Sequence, residues 1–259
     1  TKKALPYFEL NARDLKVDHV KVSVGGQTFH GEAIPDPVNE RVRLQFPMEI
    51  PAGDLNFSLS FSGELSKNMQ GLYLGDDGQD RAIVSQAQAA DARAIFPCFD
   101  EPDAKATLSW SVKTHKDFTV ITNGPLKSCE VQGDQKIHHF DATRLIPTYL
   151  AALTIGHFDS TDTQMVSNVP TRILTGRGKL KQASFAQDVT SSVLPWYEDF
   201  FAESYPFKKL DQVAVPGFDA GAMENTGAIF YRQNYLLIDP DKSSLTAQKD
   251  IAETVAHEL

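Results

Sequence analysis

Leu55-Asn56-Phe57-Ser58-Leu59-Ser60-Phe61 alternates apolar and polar side chains without a break. A period of two places Leu55, Phe57, Leu59 and Phe61 on one face of a half-buried strand. Leu108-Ser109-Trp110-Ser111-Val112-Lys113 repeats the pattern. Further strands are expected at His19–Val24, Arg41–Phe46, Phe118–Thr122 and Tyr149–Ile155. Turn chemistry separates them at Gly25-Gly26, Pro35-Asp36-Pro37, Pro51-Ala52-Gly53 and Asn123-Gly124-Pro125. Many short strands with glycine and proline between them predict an antiparallel, sandwich- or saddle-like β domain over residues 1–160.

The periodicity changes after the polar run Ser160–Thr163. Phe185, Val189, Val193, Trp196 and Phe200 recur at helical spacing, with Pro195 expected to kink or restart the last turn. Strands are expected at Leu210–Val215 and Ala228–Tyr231. A second helix follows, with Ser243 or Ser244 as N-cap and Ile251, Val255 and Leu259 on one side. Residues 161–259 therefore read as the beginning of an α+β domain.

The 259 residues carry 25 Lys and Arg against 34 Asp and Glu, a net charge of −9. Lys179–Lys181 and Lys208–Lys209 are too short to reverse that balance, so a nucleic-acid partner is not expected. With 41% hydrophobic residues the chain is not disordered, and no apolar run is long enough to span a membrane. Cys98 and Cys129 read as two reduced thiols rather than a disulfide framework. A cytoplasmic location is the expectation, with periplasmic or secreted alternatives open.

Val255-Ala256-His257-Glu258-Leu259 holds the first half of an H-E-x-x-H zinc helix. On its own a helical His-Glu pair is as readily a surface accident. About thirty residues earlier stands Gly221-Ala222-Met223-Glu224-Asn225. Its glycine permits close backbone approach, its edge could pair with an extended peptide, and Glu224 could hold a cation. A flexible loop with a surface carboxylate fits the same residues.

Taken together, Gly221–Asn225 and the His257-Glu258 helix resemble the gluzincin zinc aminopeptidases, the family of aminopeptidase N and leukotriene hydrolase. Ser85-Gln86-Ala87-Gln88-Ala89, Arg93–Pro102, and Pro147–Leu150 followed by Gly156-His157-Phe158 extend the likeness across about residues 40–259. The resemblance implies a β N-terminal domain followed by a thermolysin-like catalytic domain. It implies removal of N-terminal residues from peptides by zinc-activated water. Glu258 would be the general base, His257 the first zinc ligand, and Glu224 the partner of the substrate amine. Gly221, Ala222, Met223 and Asn225 would line the peptide, with Gln88 and Gln86 at the amine pocket. Many relatives carry a second Glu where Gln88 stands; leukotriene-hydrolase-like members carry Gln.

With Leu259 as its last residue, the chain is expected to be the front portion of a longer enzyme, inactive and weak in zinc binding by itself. Its partners would be peptides with a free N-terminus and the remaining domains. A non-catalytic peptide-binding relative and a bifunctional epoxide hydrolase remain as alternatives. His138-His139 reads as a pair of exposed strand histidines on opposite faces. Asp76–Asp80 reads as a solvated turn, and Arg93 with Asp100 as a brace for the Gln88 loop. Arg232 is within reach of the cleft.

Overall fold

The computed structural model describes residues 1–239 and 241–259. The first strands are β1 (Leu5–Asn11), β2 (Leu15–Val24), β3 (Gln27–Asp36), β4 (Arg41–Ile50) and β5 (Asn56–Gly63). They form one antiparallel sheet in the order β1-β4-β3-β2-β5. Its core is Val20, Val22, Val42, Leu44, Phe46 and Ile50. The face expected from Leu55–Phe61 is only partly covered. Leu55 and Leu59 pack on this core, whereas Phe57 and Phe61 are 39% and 43% exposed. β5 is an edge strand, and Phe57 meets the Phe8 ring edge-on, 5.0 Å between centroids, from the opposite edge strand β1.

Next come β6 (Gly71–Asp76), β7 (Arg81–Gln86), β8 (Ser111–His115), β9 (Thr119–Thr122), β10 (Leu126–Gln132), β11 (Gln135–Phe140) and β12 (Leu153–Gly156). They divide into an antiparallel sheet β6-β7-β12-β9 and a smaller one, β10-β11-β8. The strand expected over Tyr149–Ile155 begins only at Leu153. Thr148–Leu150 turns as a 3-10 segment, because Pro147 enters it in an extended conformation and Ala151 N–H closes it on the Thr148 carbonyl. The second alternating stretch likewise joins its ladder only from Ser111.

A mixed sheet follows, from β13 (Asp159–Ser160), β14 (Gln164–Val166), β15 (Val169–Thr175), β16 (Leu210–Val215), β17 (Ala222–Met223) and β18 (Ala228–Arg232). β15, β16 and β18 run parallel, and β17 folds back antiparallel on β18. β16 has every residue buried, as a strand covered on both faces requires. On one side lie α1 (Ser184–Phe201) and α2 (Leu245–Glu258). Their core joins Leu194, Ile173, Leu210, Ile229, Tyr231, Ile251 and Val255.

The buried stripe of α1 differs from the expected one. Ala186, Thr190 and Leu194 face the sheet, Phe185 and Val189 are half-buried, and Trp196 and Phe200 stand 56% and 65% exposed. Large side chains suggested a wider stripe, but the face turned to the sheet is the narrow one at steps of four, Ala186, Thr190 and Leu194. Gln212 donates to Thr190 Oγ1 at 2.7 Å there. Pro195 does not break the helix. Its ring lies on the exposed side, where the Ser191 carbonyl it orphans can meet water.

Candidate active site

The carboxyl ends of β16 and β18 open onto the segment that the sequence singled out. Two clasps from the earlier sheets hold that segment. Before it, Tyr73 Oη donates to the Gly217 carbonyl at 3.1 Å. Gly217 has φ +58° and lies against the backbone of Gly75 and Asp76, so both the turn and the close approach require glycine. After it, Asn123 Nδ2 donates to the carbonyls of Thr226 at 3.0 Å and Leu150 at 2.8 Å. Gly227, at φ +72°, passes the Asn123 carbonyl too closely for any Cβ.

Between the clasps the chain alternates. Met223 and Asn225 are buried and Glu224 is exposed. Met223 packs with Tyr73, Val84 and Phe218 in a core shared by both sheets. Asn225 is 1% exposed, and neither end of its amide has a partner. Any contact Met223 and Asn225 make with a ligand therefore runs through their backbone. Arg232 is turned to the backbone; its Nε donates to the carbonyls of Phe218 and Ala220 at 2.9 and 3.1 Å, bracing the approach to Gly221. A Cβ at Gly221 would meet only the Tyr235 ring, 3.9 Å away, which leaves open space on that side.

α2 supplies the facing wall. Ser244 caps it by accepting from Ala247 N–H at 3.2 Å. Its last turn is tied to α1 by Tyr197 Oη, which donates to the Ala256 carbonyl at 2.8 Å, one residue before His257. A cleft of 580 Å³ lies between Gly221, Ala222 and Tyr235 on one side and Asp250, Glu253, Thr254, His257 and Glu258 on the other. Tyr235 and the three α2 residues before His257 were missed in the sequence. Asp250, Glu253, Thr254 and His257 nonetheless share one helical face at steps of three, one and three, a spacing that could have revealed them.

Glu258 is the electrostatic centre of this cleft. Burial pushes its carboxyl up, and the neighbouring charge of Glu224 pushes further, to about 7. Its Oε2 is buried without a hydrogen-bond partner among the described residues. Behind it Tyr231 Oη is also buried and unpartnered, and burial holds that phenol neutral. A carboxylate kept near neutrality and free of partners is suited to exchanging a proton with a ligand.

Gln86 ends β7 on the same face as Ala82 and Val84, which pack in the core with Met223; its Oε1 is buried and unpartnered. Gln88, two residues on, is exposed. Among the described residues neither glutamine hydrogen-bonds to the cleft. The expected brace is present: Arg93 Nε pairs with Asp100 at 2.9 Å, and Thr148 Oγ1 donates to the same carboxylate at 2.8 Å. Cys98 and Cys129 are unpaired, and burial pushes the Cys98 thiol up to about 12. Asp77 and Asp80 are not merely solvated, since Lys179 Nζ bridges them at 3.4 and 2.9 Å. His138 corrects the expectation of exposed histidines. It is only 4% exposed, while His139 faces the other way and bonds Ser111 at 2.9 Å.

Catalytic zinc takes three protein ligands. His257 offers one nitrogen, and among the described residues no group of three His, Cys, Asp or Glu side chains is placed around a common point. These donors alone do not fit a complete zinc centre. Among the described residues no helix is long and apolar enough to cross a membrane.

A family model described as the peptidase M1 N-terminal domain matches residues 2–150, and one described as the peptidase family M1 domain matches residues 185–259. Among curated proteins, the chain is 36% identical over 262 residues to aminopeptidase M1-B of Oryza sativa subsp. japonica, covering 98% of this chain and 29% of that protein. It is 34% identical over 262 residues to aminopeptidase M1 of Arabidopsis thaliana, covering 98% and 30%. Against endoplasmic reticulum aminopeptidase 1 of Homo sapiens the identity is 36% over 235 residues, covering 88% and 25%. The chain thus spans less than a third of the length of the relatives it matches.

Proposed function

Because the chain belongs to peptidase family M1, we propose that the whole protein containing it is an aminopeptidase, removing N-terminal residues from peptides. The observation that carries this reading is the cleft that sets Gly221 and Ala222 opposite His257 and Glu258, with Glu224 exposed two residues after Ala222 and close enough to Glu258 for their charges to interact.

In this reading Glu224 takes the substrate's α-ammonium. A charge-assisted bond of that kind is worth roughly 1.5–3 kcal/mol. Gly221 and Ala222 offer backbone to the peptide, and Met223 and Asn225 hold that backbone from beneath. Gln86 and Gln88 complete the amine end of the pocket as neutral hydrogen-bonding groups. Glu258 accepts the proton of the attacking water and passes it to the leaving amine. Zinc belongs to this proposal for the whole protein: when bound it would polarise the scissile carbonyl, with His257 contributing one of its ligands.

Peptides with a free N-terminus and the remaining domains are the partners. The change of sheet between β12 and β13 falls at residues 157–158, which supports a division of the chain slightly before residue 160. The two unpaired thiols support a cytoplasmic location.

The test uses the whole protein and compares an amino-acyl anilide with its N-acetylated form. Hydrolysis confined to the free amine supports the reading. Equal hydrolysis of both would overturn the exopeptidase reading and leave Glu224 an ordinary loop carboxylate, and hydrolysis of neither would return the cleft to a non-catalytic binding role.

A further inference from the structure

A second cavity, of 460 Å³, lies at the opposite end of the parallel strands and shares no residue with the candidate active site. Lys209 and Asp211 line it at the start of β16, whereas the cleft begins beyond the end of that strand. The two are separated by about the length of a six-residue strand, roughly 20 Å. Its other walls are β11, the edge strand β9, and the beginning of β15.

The charge of this cavity runs against that of the chain. In a protein of net charge −9, its lining holds Lys116, Lys136, Arg172, Lys208 and Lys209 against only Asp117 and Asp211. Arg172 and Lys209 are committed to Asp211, at 2.7 and 2.8 Å. Lys116 and Lys208 make exposed pairs with Asp134 and Asp141, of the kind that contributes little and exchanges readily. Lys136 is half-buried and has no acidic partner among the described residues.

Beside it stands an unsatisfied group. Lys136, His138 and Phe140 occupy alternate positions of β11, so they share one face, and all three line the cavity. His138 is 4% exposed, its ring stacked on Phe140 at 6.4 Å between centroids. Its Nδ1 lies 3.7 Å from Cys129 Sγ on the neighbouring strand, while Nε2 is buried with no partner among the described residues. A buried imidazole nitrogen left unpaired is costly unless something occupies the space before it. Phe118, Phe140 and Pro170 make the rest of the wall apolar.

We propose that this cavity is a binding site for a small organic phosphate, its oxyanion held by Lys136 and His138 Nε2, with Lys208 turning in from the rim, and its organic body against Phe118 and Phe140. A cavity of this volume takes a ring-sized ligand. The site is independent of the peptidase reading, because none of its residues has a part in that chemistry.

The test is calorimetric titration of the protein with phenyl phosphate, using inorganic phosphate and benzoate as the phosphate-only and carboxylate arms. Saturable one-to-one binding of phenyl phosphate is expected, at least tenfold tighter than either arm. Lys136→Gln should weaken it at least tenfold, and Lys67→Gln, on a remote surface, should leave it unchanged. The His138 imidazole resonances should shift on binding in wild type. Lys136→Gln is on a half-buried position, removes the charge and shortens the side chain by only one atom, and its circular dichroism should match wild type. No saturable binding, equal binding of benzoate, or equal losses in the Lys136 and Lys67 variants would each overturn the proposal.

Discussion

Asn123 donates through Nδ2 to the Thr226 carbonyl at 3.0 Å, joining residues more than a hundred positions apart. The same side chain accepts from Ala152 N–H at 2.8 Å. One buried amide thus fastens the end of β9, the start of β12 and the segment leaving Asn225. With Tyr73 on the Gly217 carbonyl, it makes the candidate peptide-binding strand a bridge anchored at both ends by the preceding domain.

Asn123→Ala should therefore destabilise the fold by about 1–3 kcal/mol, since several backbone groups lose their partner in a buried place. Limited proteolysis should show faster cutting within residues 217–227. Urea denaturation checks the first effect and mass spectrometry of the fragments the second.

Gly75 is a sharper probe of the other clasp. A Cβ there would overlap the Pro216 carbonyl oxygen, and backbone cannot rotate away as a side chain can. Gly75→Ala should cost on the order of 1–3 kcal/mol by overpacking. Tyr73→Phe, which removes only the hydroxyl, should cost about 1 kcal/mol. Thermal denaturation of the two variants should rank them in that order.

The buried group Arg172–Asp211–Lys209 predicts an acid limit. Burial alone would push the Asp211 carboxyl up, but Lys209 and Arg172 outweigh it and hold it below the ordinary value of 3.8. A depressed carboxylate contributes stability that is fully present above its unfolded value and lost as pH falls through the folded one. Urea midpoints should accordingly fall below pH 4. Asp211→Asn should be less stable at pH 7 by about 3–5 kcal/mol, with Lys209 left buried and unpaired, and should lose less on acidification.

Ser244→Ala removes the cap of α2 and should cost about 1 kcal/mol. Because Tyr197 fastens the far end of the helix at Ala256, hydrogen exchange should speed in the first turn and leave the turn bearing His257 nearly unchanged.

In the whole protein, Glu224→Gln keeps the shape of the side chain and removes its charge. It should lower turnover of free-amine substrates about a hundredfold, roughly 2–3 kcal/mol. Gln88 carries no charge to compensate. Glu258→Gln should abolish hydrolysis, since it removes the base. Steady-state kinetics on the two variants would separate the roles, and an unaffected Glu258→Gln enzyme would exclude that residue as the base.

Much of this molecule was legible in the order of its residues. Alternation at residues 55–61 and 108–113 marked β structure, and Ser244, Ile251 and Val255 marked the last helix, because local geometry dictates those periods. The pairing of Gly221–Asn225 with His257-Glu258 pointed to the cleft, because that chemistry needs those residue types at that spacing. Tertiary structure alone decided what each face meets. Phe57, Phe61, Trp196 and Phe200 are apolar yet exposed, since burial depends on which element arrives opposite and not on the side chain itself. His138 is buried because it lies on the central strand β11 and its face meets β9 and the start of β15 across the cavity. The upward push on the Glu258 carboxyl, too, arises from desolvation and from Glu224, thirty-four positions away in sequence and brought near only by the return of β17 beneath α2.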